Sequence, residues 1–303
     1  MPQATAQNYL FGEQEAHKVV NVASVPQRSP FRYPGGKTWL VPRIRQWIAS
    51  LPKRPVEFIE PFAGGASVSL SVGFEDLSDR VKMVELDEQV AAVWKVIIDG
   101  DNGTWLANKI ARFNLTPESL KEVMTSPTNT LRAKAFRTIL KNRTHHGGIL
   151  ASGSAPLKFG ENGKGILSRW YPVTLRDRII AISKIRNRFT FIEGDGLDVI
   201  RQNAHRPGVV FYIDPPYTVE GQGKKAGKRL YTYFHINHEE LFNLTSTIDG
   251  DFLMTYDNTI EVRELARQRG LDVEPIAMKN THHAELTELL IGRNLSWART
   301  TKQ

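Results

Sequence analysis

The chain has 303 residues, 41% of them apolar and none of them cysteine. A sizeable core can form, while disulfides and thiolate metal sites are excluded. The formal charge is +8, and the excess is local: residues 101–190 hold 16 Lys/Arg against 5 Asp/Glu, a balance of +11, whereas the remainder holds 24 against 27, a balance of −3. Positive charge gathered in one segment is the footprint of a polyanion partner, most often nucleic acid. No apolar run reaches membrane-spanning length, and the stretch MPQATAQNYLFGEQEAHK lacks the basic start and apolar centre of a signal peptide. The expectation is a soluble, intracellular protein.

In chain order, residues 1–28 are polar and weakly patterned and read as an arm. FRYPGGKT (31–38) ends like a phosphate loop, but the Gly required five residues before Gly36 is Phe31 and no apolar strand precedes it, so an NTPase is not implied. VEFIEPFAGGASVSL (56–70) reads as a strand, a Gly-containing turn and a helix start. VKMVELDEQVAAVWKVI (81–97) reads as a strand ending near Glu85, then an amphipathic helix carrying Val90, Val93, Trp94 and Ile97. The basic segment has helices near 131–142 and 175–186, separated by a Gly/Ser-rich stretch. Strands return at FTFIEGDG (189–196) and VVFYIDPPY (209–217). Asn237 and Glu240 then suit a capping box, and DFLMTYDN (251–258) and ELTELLIGRN (285–294) read as closing strands. Strands alternating with helices predict an α/β protein with a doubly wound, mostly parallel sheet. The expected division is an arm (1–28), a first catalytic part (29–100), an inserted, mainly helical segment (101–188) and a second catalytic part (189–303).

The strand ends carry the chemistry. Ligands of open parallel sheets bind beyond the carboxyl ends of the strands. Pro215 and Pro216 stop the strand 209–213 and stiffen its tip, because proline cannot donate to a ladder and restricts the residue before it. That tip presents the Asp214 carboxylate, carbonyls without ladder partners, and the aromatic face of Tyr217. It suits a flat ligand bearing an NH2 group. A Gly turn followed by an acid about 20 residues on is a nucleoside-binding pattern, with Glu85 first and Asp87 second for the ribose hydroxyls. PFAGGAS lacks the spacing of a pyrophosphate cradle. The paired histidines 145–146 and 282–283, and His235 with His238, have no matching acid or thiol set, so no metal is expected.

FRYPGGK, EPFAGGASVSL and DPPY, in that order with a long basic segment before the last, resemble the Dam-type (alpha-group) DNA adenine-N6 methyltransferases from about Ser29 to about Asn294. The resemblance implies a Rossmann-like fold, S-adenosylmethionine as methyl donor, and DNA as substrate. It makes residues 101–188 a target-recognition insert. It directs Tyr33 and Lys37 to the cofactor's methionine end, sets Glu60, Pro61, Phe62, Gly64 and Gly65 in the turn beneath it, and gives Glu85 the ribose and Asp195 the adenine. Asp214, Pro215, Pro216 and Tyr217 become the catalytic tip, with Asp214 also close to the cofactor. Asp214 and the Pro215 carbonyl would accept the two amine hydrogens, and Tyr217 would stack on a base flipped from the duplex. Since the methyl donor arrives activated, the chemistry calls for no metal. Arg137, Lys141 and Arg143 before the Gly-rich stretch, and Lys224, Lys225, Lys228 and Arg229 after the tip, are expected to contact nucleic acid. The family implies a prokaryotic or phage origin, a cytoplasmic setting and a possible cognate restriction endonuclease. The stretch Asn-Arg-Thr-His-His-Gly-Gly (142–148) departs from the pattern expected of a GATC-reading enzyme. The same tip suits N4 of cytosine or an amine in RNA, and an inactive DNA-binding module is the alternative from outside catalysis.

Overall fold

The structure, a computed structural model, describes residues 25–33, 35–216, 236–279 and 285–299, without the side chains of 278, 279, 285 and 286. The chain runs through α1 (Val41–Ser50), β1 (Glu57–Glu60), α2 (Ser67–Phe74), β2 (Arg80–Glu85) and α3 (Glu88–Ile98). The helices α4 (Asn102–Arg112), α5 (Pro117–Thr125), α6 (Leu131–Thr144) and α7 (Pro172–Lys184) make up the basic segment. Then follow β3 (Phe189–Glu193), α8 (Gly196–Asn203), β4 (Val209–Ile213), α9 (His238–Thr245), β5 (Phe252–Asp257), α10 (Ile260–Gln268), β6 (Asp272–Lys279), β7 (Glu285–Gly292) and α11 (Ser296–Arg299).

The strands form one sheet in the order β3-β2-β1-β4-β5-β7-β6, parallel except that β7 runs antiparallel to both its neighbours. The β4 sequence shows why both faces are covered. Val210 and Tyr212 point into one core with α1, α2 and α3, while Val209, Phe211 and Ile213 point into another with α8, α9 and α10. A strand buried on both faces reads as an unbroken apolar run, as VVFYI does. The expected doubly wound α/β sheet is therefore present. Sequence reasoning did not find β6. Its Pro275 argues against a strand, and the sheet accommodates it because β6 is an edge that pairs with β7 alone.

The basic segment is rooted in the same core. Leu106, Ile110, Phe136, Ile139, Leu175, Ile179 and Ile182 join Val90, Val93, Trp94 and Ile97 of α3 in one buried cluster. Helix α6 ends at Thr144, two residues beyond the expected end, and α7 starts early, with Pro172 at its first position. At the C-terminal end of α6 the buried Asn142 reaches back to the first motif. Its Oδ1 accepts from Arg32 N (2.8 Å) and its Nδ2 donates to Arg32 O (2.9 Å) and Gly148 O (2.7 Å). Gly148 has φ +74°, and a Cβ there would lie 2.3 Å from Arg32 O, so only glycine lets the two segments meet. Asn142→Ala should lower unfolding free energy by about 3 kcal/mol in denaturant titrations, because three backbone groups, two of Arg32 and one of Gly148, lose their partner at about 1 kcal/mol or more each.

Candidate active site

The carboxyl ends of β1, β2 and β4 converge where the strand order reverses, the position at which open α/β sheets take ligands. The turn after β1 is tied to β2: Ala63 N donates to Val84 O (2.8 Å) and Gly64 N to Glu85 Oε2 (2.8 Å). Trp94 Nε1 of α3 donates to Gly64 O (2.8 Å), and Ser29 Oγ to Gly65 O (2.5 Å). Two glycines stand here because Tyr33 lies on the turn. A Cβ at Gly64 would meet its ring at 2.5 Å, and one at Gly65 would meet its Cβ at 2.8 Å. Pro61 and Phe62 pack on Gly196, which follows Asp195. Asp195 is exposed and caps α8, with Oδ1 accepting from Leu197 N (2.7 Å).

Glu85 is held by two backbone donors, Gly64 N on Oε2 and Asp87 N on Oε1, both at 2.8 Å. Burial nevertheless pushes its carboxyl up to about 7, against the pull of those N–H groups. The second ribose candidate, Asp87, caps α3 by accepting from Gln89 N (2.8 Å) and Val90 N (3.4 Å). Its job is structural. Beneath the turn the buried Glu60 accepts from Ser69 N (2.9 Å), and burial pushes it up to about 8, with Asp214 adding to the shift and Lys37 opposing it.

At the end of β4, Pro215 is buried and Pro216 half-buried, and Asp214 sits in a web of side chains. Lys37, only 3% exposed, brings its Nζ to 2.9 Å from Asp214 Oδ1, 3.5 Å from Glu288 Oε2 and 3.2 Å from Gly35 O. Thr255 Oγ1 donates to Asp214 Oδ1 (2.7 Å) and lies 3.1 Å from Tyr212 Oη. Thr255 has a single hydroxyl hydrogen and gives it to Asp214, so Tyr212 is the donor in that second contact. Glu288, on β7, is pushed up to about 7 by burial, and Asp257, its partner across the antiparallel pair, is raised as well by burial.

Expected at the cofactor's methionine end, Lys37 also bridges the first motif to the catalytic tip. Sequence reasoning missed Thr255, the Tyr212 hydroxyl and Glu288. Thr255 in the apolar FLMTYD and Glu288 in ELTELLI are polar breaks in buried strands, the one signal that could have found them.

The expected phosphate contacts scatter. Arg143 is 5% exposed and donates through Nε to Pro30 O (3.0 Å). Lys141 Nζ donates to Leu150 O (2.6 Å). Arg137 donates to Ser126 O (3.2 Å) and Thr128 Oγ1 (3.0 Å). All three make internal contacts; Arg143 is turned into the core, whereas Arg137 and Lys141 are half-buried one turn apart, near enough for Arg137 to add to the lowering that burial imposes on the Lys141 ammonium. Tyr217, Lys224, Lys225, Lys228 and Arg229 lie outside the described residues, as do His235, His282 and His283. Among the described residues no cluster of three potential metal ligands occurs, and no helix is long and apolar enough to cross a membrane.

The site fits a cation-bearing nucleoside. Glu60, Asp214 and Glu288 act on one lysine, an excess of carboxyl groups able to take a cation, while Glu85 stands at the neighbouring strand end. The sheet is Rossmann-like, and the family that the sequence matches makes the protein an S-adenosylmethionine-dependent methyltransferase. The model of the D12 class N6 adenine-specific DNA methyltransferases matches residues 33–279. The chain belongs to that family, and its activity is that of a DNA adenine methyltransferase. Among solved structures it is similar to an rRNA methyltransferase from Streptomyces viridochromogenes (13% identity, TM-score 0.42, 93% of this chain and 96% of that one). Another is precorrin-6y C5,15-methyltransferase from Geobacter metallireducens (11% identity, TM-score 0.33, 82% and 84%). No curated protein matches the sequence.

The raised carboxyls fix the sign of a pH effect. A carboxyl that titrates near 7 or 8 when folded and near 4.5 when unfolded binds its proton more tightly in the folded state. These three carboxyls therefore contribute less stability to the ligand-free protein as pH rises from about 4.5 to 8. Bound S-adenosylmethionine favours the ionised forms, so binding near pH 7 should release protons, read by calorimetry in buffers of different ionisation enthalpy. Equal heats in all buffers would contradict this. Thr255→Val should lower turnover about tenfold or more while leaving cofactor affinity within threefold, since a hydrogen bond to a charged group is worth about 1.5–3 kcal/mol. Thr255→Ser should retain most activity in the same steady-state assay.

Proposed function

We propose that this enzyme methylates N6 of adenine within a particular duplex DNA sequence, taking the target base out of the helix. The observation that carries the reading is Asp214 at the rigid tip of β4, its Oδ1 fixed from two directions by Lys37 and Thr255. An exocyclic amine is a weak nucleophile because its lone pair is delocalised into the ring. S-adenosylmethionine supplies a methyl group activated on a sulfonium. Asp214 and the Pro215 carbonyl accept the two amine hydrogens, which lets the nitrogen pyramidalise and aim its lone pair along the line of attack. Positioning and electrostatic preorganisation of this kind are what the held carboxylate supplies.

Tyr33, Lys37 and the turn Glu60–Gly65 hold the cofactor's amino-acid end in this reading, Glu85 its ribose and Asp195 its adenine. Tyr217, next in sequence after the tip, stacks on the flipped base. Residues 101–188 choose the target sequence. The family favours adenine over cytosine and DNA over RNA.

Asp214→Ala should reduce methyl transfer more than tenfold while S-adenosylmethionine affinity stays within a few-fold, the pattern for an interaction made chiefly in the transition state. Sequencing of modified bases in DNA from cells expressing the wild type should show N6-methyladenine in one recurring context, and none with the variant. N4-methylcytosine, or label found only in RNA, would overturn the assignment.

A further inference from the structure

Three side chains of the basic segment grip three neighbouring residues of the first motif. Arg178 Nη1 donates to Ser29 O (2.9 Å), Arg143 Nε to Pro30 O (3.0 Å), and Asn142 brackets both backbone groups of Arg32. The grip draws four guanidinium groups together: Arg32, Arg143, Arg178 and, from the stretch before α7, Arg169. Tyr171, 48% exposed, stands at their edge. Arg143 feels the other three, and Arg32 feels Arg169. Arg143 is depressed to about 9, first by burial and then by Arg178, Arg32 and Arg169. Arg32 is lowered by burial and by Arg169, and among the described residues no carboxylate acts on it. Arg169 has one acidic partner, the exposed Glu161. Arg143 and Arg178 have structural work. Among the described residues Arg32 makes no side-chain hydrogen bond or ion pair, and its half-buried guanidinium stands directly before Tyr33, which packs on the turn after β1.

A half-buried cluster of like charges costs free energy unless a counter-charge joins it. A flat, fork-shaped donor such as guanidinium is best matched by carboxylate or phosphate. We propose that Arg32, with Arg169 beside it, forms a clamp for a backbone phosphate of the DNA, next to the target nucleotide. This rests on the DNA reading above. It moves the phosphate-binding role from Arg137, Lys141 and Arg143 to a cluster at the seam between the first motif and the basic segment. The clamp holds DNA register and reads no base. Because Arg32 and Tyr33 are consecutive, the strand it holds passes beside the cofactor pocket.

The test uses the full-length protein, a duplex carrying the methylated context found in cells, and a scrambled duplex. Affinities are measured at several salt concentrations for wild type, Arg32→Gln, Arg169→Gln and, as a control for removal of one surface charge, Arg267→Gln. Deleting one phosphate-binding charge should lower the slope of log affinity against log salt by about 0.9. Arg32→Gln and Arg169→Gln should each show that drop on both duplexes, with S-adenosylmethionine affinity within twofold of wild type. Arg267→Gln should not. Arg32→Lys should keep the slope while binding less tightly, since the charge stays and the fork is gone. Slopes for Arg32→Gln and Arg169→Gln equal to wild type overturn the clamp, as does a weakening confined to the cognate duplex, which would mean base reading. Should Arg32→Gln not fold, Arg169→Gln decides alone. A wild type without affinity for either duplex would overturn the DNA reading and the clamp with it, whereas a DNA-binding wild type with unaffected variants overturns the clamp only.

Discussion

The ion pair between Lys37 and Asp214 is the contact on which the site depends, because four separate parts of the chain must be in place to make it. The lysine comes from the end of the first motif, the aspartate from the tip of β4, the hydroxyl that orients it from β5, and the second carboxylate from β7. Taking an ammonium group almost wholly out of water costs several kcal/mol, and that cost is met only where charge partners are fixed in position. The partners here exceed the need. With Glu60 near 8 and Glu288 near 7, protons neutralise part of the surplus at neutral pH. The cluster can therefore adjust its charge to an arriving cation by releasing protons, without moving a side chain far.

The supporting architecture keeps these four parts in register. The apolar alternation of β4 locks its tip between two cores, and the prolines keep that tip from pairing onward. Tyr33 can lie on the turn after β1 only because Gly64 and Gly65 have no side chains, and Trp94 fixes the turn from behind. The basic segment belongs to this scaffold as well. Through Asn142, Arg143 and Arg178 it holds residues 29, 30 and 32, so whatever that segment binds is mechanically joined to the strand leading to the cofactor.

Much of this was legible in the sequence, for reasons that differ by element. Strand-to-turn transitions at Glu60, Glu85 and Asp214 announce themselves through apolar runs cut by Gly, acid or Pro, and all three end at the site. Edge strand β6 was hidden by its own proline. Thr255 and Glu288 could not be paired with Asp214 and Lys37 from the sequence, since their proximity depends on the antiparallel insertion of β7 beside β5. The burial of Arg143 was hidden for a different reason. A helix period tells which residues share a face, but α6 carries buried residues on more than one side, including Asn142 and Arg143. Position on a basic helix thus says little about which cations reach solvent.

Charge is divided sharply along one short segment. On its Lys37 side stand Glu60, Asp214, Asp257 and Glu288; on its Arg32 side stand Arg143, Arg169 and Arg178. Only four residues lie between Lys37, in a pocket with excess acid, and Arg32, in a seam with excess base. A cationic methyl donor and a polyanionic substrate strand have opposite needs, and each would be repelled by the other's surroundings. The bracket of Asn142 on Arg32 and the packing of Tyr33 on the glycine turn fix the boundary between the two fields. An amine carried on the anion can then be brought to a methyl carried on the cation without either ligand occupying the other's place.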